Sequence, residues 1–473
     1  MQAAEYAMSR KPQKAGYCRR DSAEHEEEGR ALSATRTAAY EDAAAQTERE
    51  SKLLEQILDV RNLNDAYKRV KRNKGAGGVD GMKVGELKSY LLENGHALKQ
   101  SLLAGTYIPQ PVRRVEIPKD NGKKRQLGIP TAVDRVIQQA IAQKLSPIYE
   151  RQFSDSSYGF RPGRSAHHAL LKCRGAANEG YRYAVDMDLE KFFDTVNQSK
   201  LMEILSRTIK DGRVLSLISK YLKAGVIIAG RQEPTTQGVP QGGPLSPLCA
   251  SILLNELDKE LEKRGHTFAR YADDCIILCK SKRGAQRTLE HIIPYIEKKL
   301  YLKVNREKTA TAYIGRVKYL GYSFYVNSKR EARLCIHPKS IVKLKERLRA
   351  ITAGNNGKSY EARKAELKSF VTGWVNYYKL ADMKELLKGM DQWLRRRLRM
   401  CIWKRWKRVR TRYAMLRKLG IQPEWKIHEC ANMRKGPWRC AINPIVAQAI
   451  SEERLKRAGY TSLTDCYLAV RGG

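Results

Sequence analysis

The chain has 473 residues, 42% of them hydrophobic and 30% charged, with a formal net charge of +40. That length exceeds a single core and predicts two to four domains. The charge excess works against compaction and calls for an anionic partner, nucleic acid first and an anionic membrane surface second. No run of about 18 apolar residues exists, so no bilayer span is predicted. The opening stretch MQAAEYAMSRKPQKAGYCRR has no apolar segment of the kind a secretory signal needs. Ten cysteines are scattered with no C-x-x-C pair, which speaks against a zinc ribbon and a disulfide framework. Cys275 and Cys279 read as buried, reduced thiols of a cytosolic protein.

Residues 1–50 are rich in Ala, Glu, Arg and Ser and read as a mobile or loosely helical tail. Helical spacing begins at Leu53, Leu54, Ile57, Leu58, Leu63 and Tyr67. KGAGGVDG at 74–81 is too glycine-rich for a regular element. Residues 112–130 predict a β-hairpin turning at Asp120-Asn121-Gly122. A helix follows, with Val133, Val136, Ile137, Ala140, Ile141 and Leu145 on one face. RYAVDMDLEKFFDTV at 182–196 reads as a strand running into a turn. A later helix has Ser246 as its N-cap, Pro247 in its first turn and Gly265 at its stop. FARYADDCIILC reads as two short strands meeting at two carboxylates. Strands and helices thus mix over 51–335, and helices alone follow from about 338.

Asp273 and Asp274 lie side by side between apolar runs. Two ionised carboxylates in such a setting repel and lose hydration. A divalent cation relieves both, because hard oxygens suit Mg²⁺. A solvated Asp-Asp turn is the plain alternative. Asp186 and Asp188 add weight, since alternation along a strand puts them on one face. Carboxylates from separate strands are what a two-metal phosphoryl-transfer site requires.

Tyr271-Ala272-Asp273-Asp274 resembles the polymerase signature of reverse transcriptases. With Asp188, Phe193 five residues later, Pro240-Gln241-Gly242, Asn305-x-x-Lys308 and Tyr319-Leu320-Gly321, the order is similar to the palm motifs of bacterial group II intron-encoded reverse transcriptase/maturases. The resemblance implies an α+β right-hand polymerase fold, fingers and palm over 51–335. An all-helical thumb or maturase domain over 336–412 and a short DNA-binding segment over 413–473 would follow. It implies that Asp188, Asp273 and Asp274 hold two Mg²⁺ ions, with Mn²⁺ as a substitute; Asp186 is the rival for the first place. Phe193 resembles the steric gate that rejects a 2′-hydroxyl. Lys119 and Arg125 look like triphosphate ligands, Gln241 a contact to the nascent base pair, and Lys308 the lysine that protonates pyrophosphate. SYGFRPGRSAHHA at 157–169 is similar to a template- or primer-contacting stretch, with Arg161 and Arg164 as phosphate contacts. Adjacent His167 and His168 cannot share one metal on a helix and carry no functional reading.

GWVNYY at 373–378 resembles the thumb of the same family. From Trp393 to Arg412 there are ten Lys or Arg and no acid, with Trp403 and Trp406 interleaved. Arg395, Arg396, Lys404 and Arg405 are the expected nucleic-acid contacts there, while Trp393, Leu394, Leu398, Cys401, Ile402 and Val409 make a buried face. His428, Cys430 and Cys440 do not form the metal pattern of an endonuclease, so no DNA-cleaving domain is expected. The partners implied are group II intron RNA, an RNA template with a DNA primer or target DNA, and dNTPs. No membrane partner is implied, and the expected place is a bacterial cytoplasm, with the nucleoid when DNA is the target. A splicing-only maturase and a retron or defence reverse transcriptase are the alternatives.

Overall fold

The structure is a computed structural model that describes residues 52–472, apart from 119–121, 123 and 229. The tail expected over 1–50 lies outside the described residues, as does Lys119. Helices Leu53–Ile57, Val60–Asn73 and Leu87–Leu103 lead into the expected hairpin, β1 (Val112–Pro118) and β2 (Lys124–Ile129). β4 (Val226–Ile228) pairs with β1 in parallel and β5 (Arg231–Glu233) closes a sheet of order β2-β1-β4-β5. Helix Ala132–Glu150 buries all six predicted apolar positions, and the Thr131 hydroxyl caps it by accepting the Asp134 N–H.

The central sheet is antiparallel, of order β6-β7-β3-β8, from β3 (Tyr183–Met187), β6 (Thr267–Tyr271), β7 (Asp274–Cys279) and β8 (Ala310–Tyr313). Strand alternation divides its side chains between two cores. Val185, Met187, Cys275 and Ile277 join Leu253, Leu257 and Ile292 from helices Ser246–Lys263 and Lys282–Lys299. Ala184, Ile276 and Leu278 join Leu170 and Cys173 of helix Ala166–Asn178, together with the helical C-terminal region. Cys275 and Cys279 are buried free thiols, as expected. Ser246 is not the N-cap: it is the first helical residue, and its hydroxyl instead donates to the Pro240 carbonyl at 2.5 Å, bracing the turn ahead of the helix. Gly265, at φ +70°, does end that helix.

β9 (Tyr322–Val326) and β10 (Ala332–Ile336) form a small hairpin before the helices begin. Pro338–Ile351, Tyr360–Tyr378 and Lys384–Arg405 are followed by Val409–Lys418 and shorter helices to Leu463–Arg471. The third of these helices stops at Arg405 and a new one starts at Val409, which was expected in the buried face but is exposed. Leu394, Leu398, Cys401 and Trp403 are buried; Trp406 is buried past the helix end. Residues 413–472 share one core with the helices before them, through Leu416, Ile427, Val446 and Tyr467. Asp391 ties the two together. Its buried carboxylate accepts N–H bonds from Leu463 and Thr464 and the Ser462 hydroxyl, all at 2.8–2.9 Å. Asp391→Ala strips three donors of their acceptor. It is expected to destabilise the fold by about 1–3 kcal/mol, read as a lower urea midpoint with an unchanged slope.

Candidate active site

The carboxylates gather where β3 and β7 end. Asp186 faces Ile276 across the ladder and Met187 faces Cys275, so Asp188 emerges beside the β6–β7 turn. Tyr271 pairs with Asp274, which leaves Ala272 and Asp273 as a two-residue turn. Ala272 sits at φ +57°, a left-handed conformation that costs a non-glycine residue roughly 1–2 kcal/mol. Asp188 is pinned through its main chain. Its carbonyl accepts the Asn305 N–H at 2.9 Å and its N–H donates to Thr309 Oγ1 at 3.2 Å.

The electrostatics show one shared field. Burial, then the Asp274 and Asp188 charges, push the Asp186 carboxyl up to about 6. Asp274 has an open side towards solvent, yet the protein around it and the Asp273 and Asp188 charges push it to about 6 as well. Lys308 places Nζ 2.7 Å from Asp188 Oδ2. The Asn305-x-x-Lys308 turn that delivers it is closed by the Lys308 N–H donating to Asn305 Oδ1 at 3.3 Å. Among the described residues, no three acidic, His or Cys side chains close round one point. The donor set still fits hard divalent cations: it offers only carboxylate oxygens, and its negative charge is under-compensated.

A second group gathers around Phe193, five residues after Asp188. Phe192 is buried, while Phe193 is half-buried and packs edge-on against it, with ring centroids 5.2 Å apart. The Phe193 carbonyl accepts the Val239 N–H at 2.7 Å, which docks the Pro240-Gln241-Gly242 turn on Phe193's own backbone. Gly242 has φ +122°, and a Cβ there would meet the Gly128 carbonyl oxygen at 2.5 Å. Gln241 holds two ends together: its Oε1 accepts from Arg125 Nε at 2.9 Å and its Nε2 donates to Asp194 Oδ1 at 3.4 Å. Arg125, Phe193 and Gln241 therefore lie in one neighbourhood, with Asp194 as a member the sequence did not single out.

The basic residues divide. Arg161 is buried, and its guanidinium donates to both Glu150 oxygens and to the Ser154 and Ser157 carbonyls. It is an internal brace and not the expected phosphate contact. Arg164 is half-buried against Asp155 and the Tyr158 ring, with part of its side chain open. Arg395 pairs with Glu452 at 2.9 Å, and Arg396 lies 3.7 Å over the Trp438 ring while donating to its carbonyl. Both were expected on nucleic acid, and both serve packing between helices. Lys404 and Arg405 are exposed. His167 and His168 diverge as expected: His167 Nε2 lies 2.7 Å from the Tyr377 carbonyl, while His168 faces solvent.

These features define the palm of a template-directed polymerase. Residues 117–324 match the reverse transcriptase (RNA-dependent DNA polymerase) family, and residues 341–420 match the group II intron maturase-specific domain. The chain is 35% identical to Protein YkfC of Escherichia coli, over 56% of this chain and 80% of that protein. It is 33% identical to the group II intron-encoded protein LtrA of Lactococcus lactis, over 55% of this chain and 54% of LtrA. It is 32% identical to the putative COX1/OXI3 intron 2 protein of Saccharomyces cerevisiae, over 45% of this chain and 25% of that one. The chain thus matches about half the length of LtrA and a quarter of the yeast protein. It belongs to the reverse transcriptase family of group II intron-encoded proteins.

Gly159 is a positional requirement that the sequence did not reveal. A Cβ there would stand 2.2 Å from the Ala272 backbone nitrogen, inside the Ala272–Asp273 turn. Gly159→Ala is expected to destabilise the fold by about 1–3 kcal/mol and to lower primer extension. Gly163→Ala, at φ +70° with open space around it, carries only the backbone penalty. It should shift the urea midpoint less and leave extension near the parental rate.

Proposed function

We propose that the chain copies RNA into DNA and promotes splicing and mobility of a group II intron, with two Mg²⁺ ions held by Asp188, Asp273 and Asp274. The observation that carries this reading is the meeting of Asp188 with the Asp273-Asp274 turn in one electrostatic field. The bound cations would polarise the primer 3′-hydroxyl and the α-phosphate and neutralise the leaving pyrophosphate. The protein's own groups position the reactants. Arg125, from the fingers hairpin, and Lys119, expected on its other arm, hold the triphosphate, Arg as a planar fork and Lys as a point charge. Phe193 presents its ring where a ribonucleotide 2′-hydroxyl would fall. Gln241, braced from both sides, shapes the wall against the new base pair. Lys308, already on Asp188, stands where it can deliver a proton to pyrophosphate.

The helical region supplies the surface for template–primer duplex and intron RNA. Lys404 and Arg405 are the proposed phosphate contacts, together with Arg164 on the palm. No helix among the described residues is long and apolar enough to cross a membrane.

Primer extension on an RNA template with dNTPs tests the reading. Asp273→Ala should lower extension by at least about a hundredfold, the scale at which a lost transition-state charge partner is felt. Protein-assisted splicing at low magnesium should survive that change, because it draws on RNA binding alone. Parental extension by Asp273→Ala would refute the site. Phe193→Ala should raise ribonucleotide use relative to deoxyribonucleotide by roughly ten- to a hundredfold, measured as the ratio of kcat/KM for rNTP and dNTP.

A further inference from the structure

A buried ion pair behind the catalytic turn has no part in the chemistry described above. Arg270, next to last in β6, is 1% exposed, and Asp258, in helix Ser246–Lys263, is 0% exposed. Arg270 Nε donates to Asp258 Oδ1 at 2.7 Å, and one terminal nitrogen reaches Asp258 Oδ2 and Ser157 Oγ, the latter at 2.8 Å. The other terminal nitrogen donates to the Ala272 carbonyl at 3.0 Å. The main chain of Arg270 is fixed as well, its N–H on the Ser156 carbonyl at 2.9 Å and its carbonyl under the Tyr158 N–H at 2.8 Å.

Burying two charges in such a place gives no stability that well-packed apolar side chains would not give. An apolar pair could not, however, hold the Ala272 carbonyl. That carbonyl belongs to the peptide joining Ala272 to Asp273, the central peptide of the two-residue turn. Turns of this length come in forms that differ in the orientation of that peptide and in the backbone angle of the residue after it. Here Ala272 is left-handed and Asp273 is not. The bond from Arg270 selects this form, and Gly159, stacked on the Ala272 nitrogen, leaves no room for the turn to shift towards it.

We propose that Arg270, oriented by Asp258 and Ser157, is a positioning residue for polymerisation: it locks the Ala272–Asp273 peptide and so sets the direction in which the Asp273 carboxylate meets its cation. This rests on the polymerase reading above. The lock acts on geometry at one carboxylate, so its loss should reach turnover and cation affinity before it reaches nucleotide or RNA binding.

The test uses the full chain with two changes. Arg270→Met combined with Asp258→Leu removes both charges together and leaves no unpaired ion behind. Arg270→Lys keeps a charge beside Asp258, but its single ammonium cannot span Asp258, Ser157 and the Ala272 carbonyl in the same planar array. Both variants are expected to bind intron RNA as the parent does and to keep the dNTP KM within about twofold, while kcat falls by up to about a hundredfold, as misplacement of a reacting group does. Mn²⁺ binding, followed by electron paramagnetic resonance without any turnover, should weaken about tenfold in both. Parental kcat and parental Mn²⁺ affinity in the double variant would overturn the inference. Should the double variant fail to fold, the same result in Arg270→Lys would overturn it. A parent that binds Mn²⁺ but extends no primer would sink the polymerase reading alone, and the Mn²⁺ measurement would still decide the role of Arg270.

Discussion

The register between β3 and β7 is the constraint on which the site depends. Asp186 opposite Ile276 and Met187 opposite Cys275 put Asp188 one residue past the ladder, level with the turn that carries Asp273 and Asp274. A slip of one residue would turn Val185 and Met187 out of one core and drive Asp186 into it. Both faces of the sheet are covered by apolar side chains over most of its length, so that slip is strongly resisted. The repulsion among the acids is thus imposed by packing several residues away. The carboxyls of Asp186 and Asp274 register it, both raised to about 6.

The cations of the helical region fall into two groups, those that meet carbonyls within the fold and those that face outward. Arg397 donates to the Arg349 and Thr352 carbonyls and Arg363 to that of Ile351, at the end of helix Pro338–Ile351. Arg399 reaches the Ile450 carbonyl just beyond helix Pro444–Ala449. Arg412 reaches the Trp406 carbonyl just beyond Lys384–Arg405 and covers the buried Trp403 ring. Helix C-termini leave carbonyls without partners and carry partial negative charge, so a planar fork of donors suits them. A domain built from many short helices has many such ends. A good part of its arginine is therefore structural, and Lys404, Arg405, Lys407, Arg408 and Arg410 remain facing outward.

This explains what could be read from the sequence and what could not. The meetings of Asp188 with Lys308 and of Phe193 with the Gln241 turn join short motifs, each of whose parts lie near one another in the chain. The mixture of strands and helices and the buried face of helix Ala132–Glu150 followed from periodicity. Arg161, Arg395 and Arg396 were misplaced because a cation's sequence does not say whether a carbonyl, a carboxylate or a phosphate answers it. Arg161 finds Glu150 only 11 residues away, but through a fold-dependent turn. Arg395 finds Glu452, 57 positions on, only once the C-terminal helices pack. Ser246 had the right residue type and neighbours for a cap, yet the helix starts one residue sooner because its hydroxyl is taken by Pro240. Gly159 carried no reading of its own, since nothing local announces that a distant backbone lies against it.

The carboxylates and the helical domain are also held to one frame. The Tyr377 carbonyl accepts from the Tyr322 hydroxyl and lies against His167 Nε2, while the Tyr377 hydroxyl donates to the Leu320 carbonyl at 2.8 Å. Tyr378 packs its hydroxyl over Gly321, where a Cβ would meet it at 2.6 Å, and its ring lies 4.6 Å from that of Trp374. Tyr319 in turn donates to the Ala269 carbonyl on β6. The Tyr319-Leu320-Gly321 turn is thus clasped on one side by the strand that leads to the Ala272–Asp273 turn and on the other by helix Tyr360–Tyr378. Loss of any one contact leaves several others, so the helix keeps its direction relative to Asp273. A surface that grips a duplex can deliver its end to a pair of carboxylates only if the two share such a fixed reference. Here that reference is a cluster of aromatic rings in which the Tyr319, Tyr322 and Tyr377 hydroxyls each donate to a main-chain carbonyl, the kind of packing that combines large buried area with defined geometry.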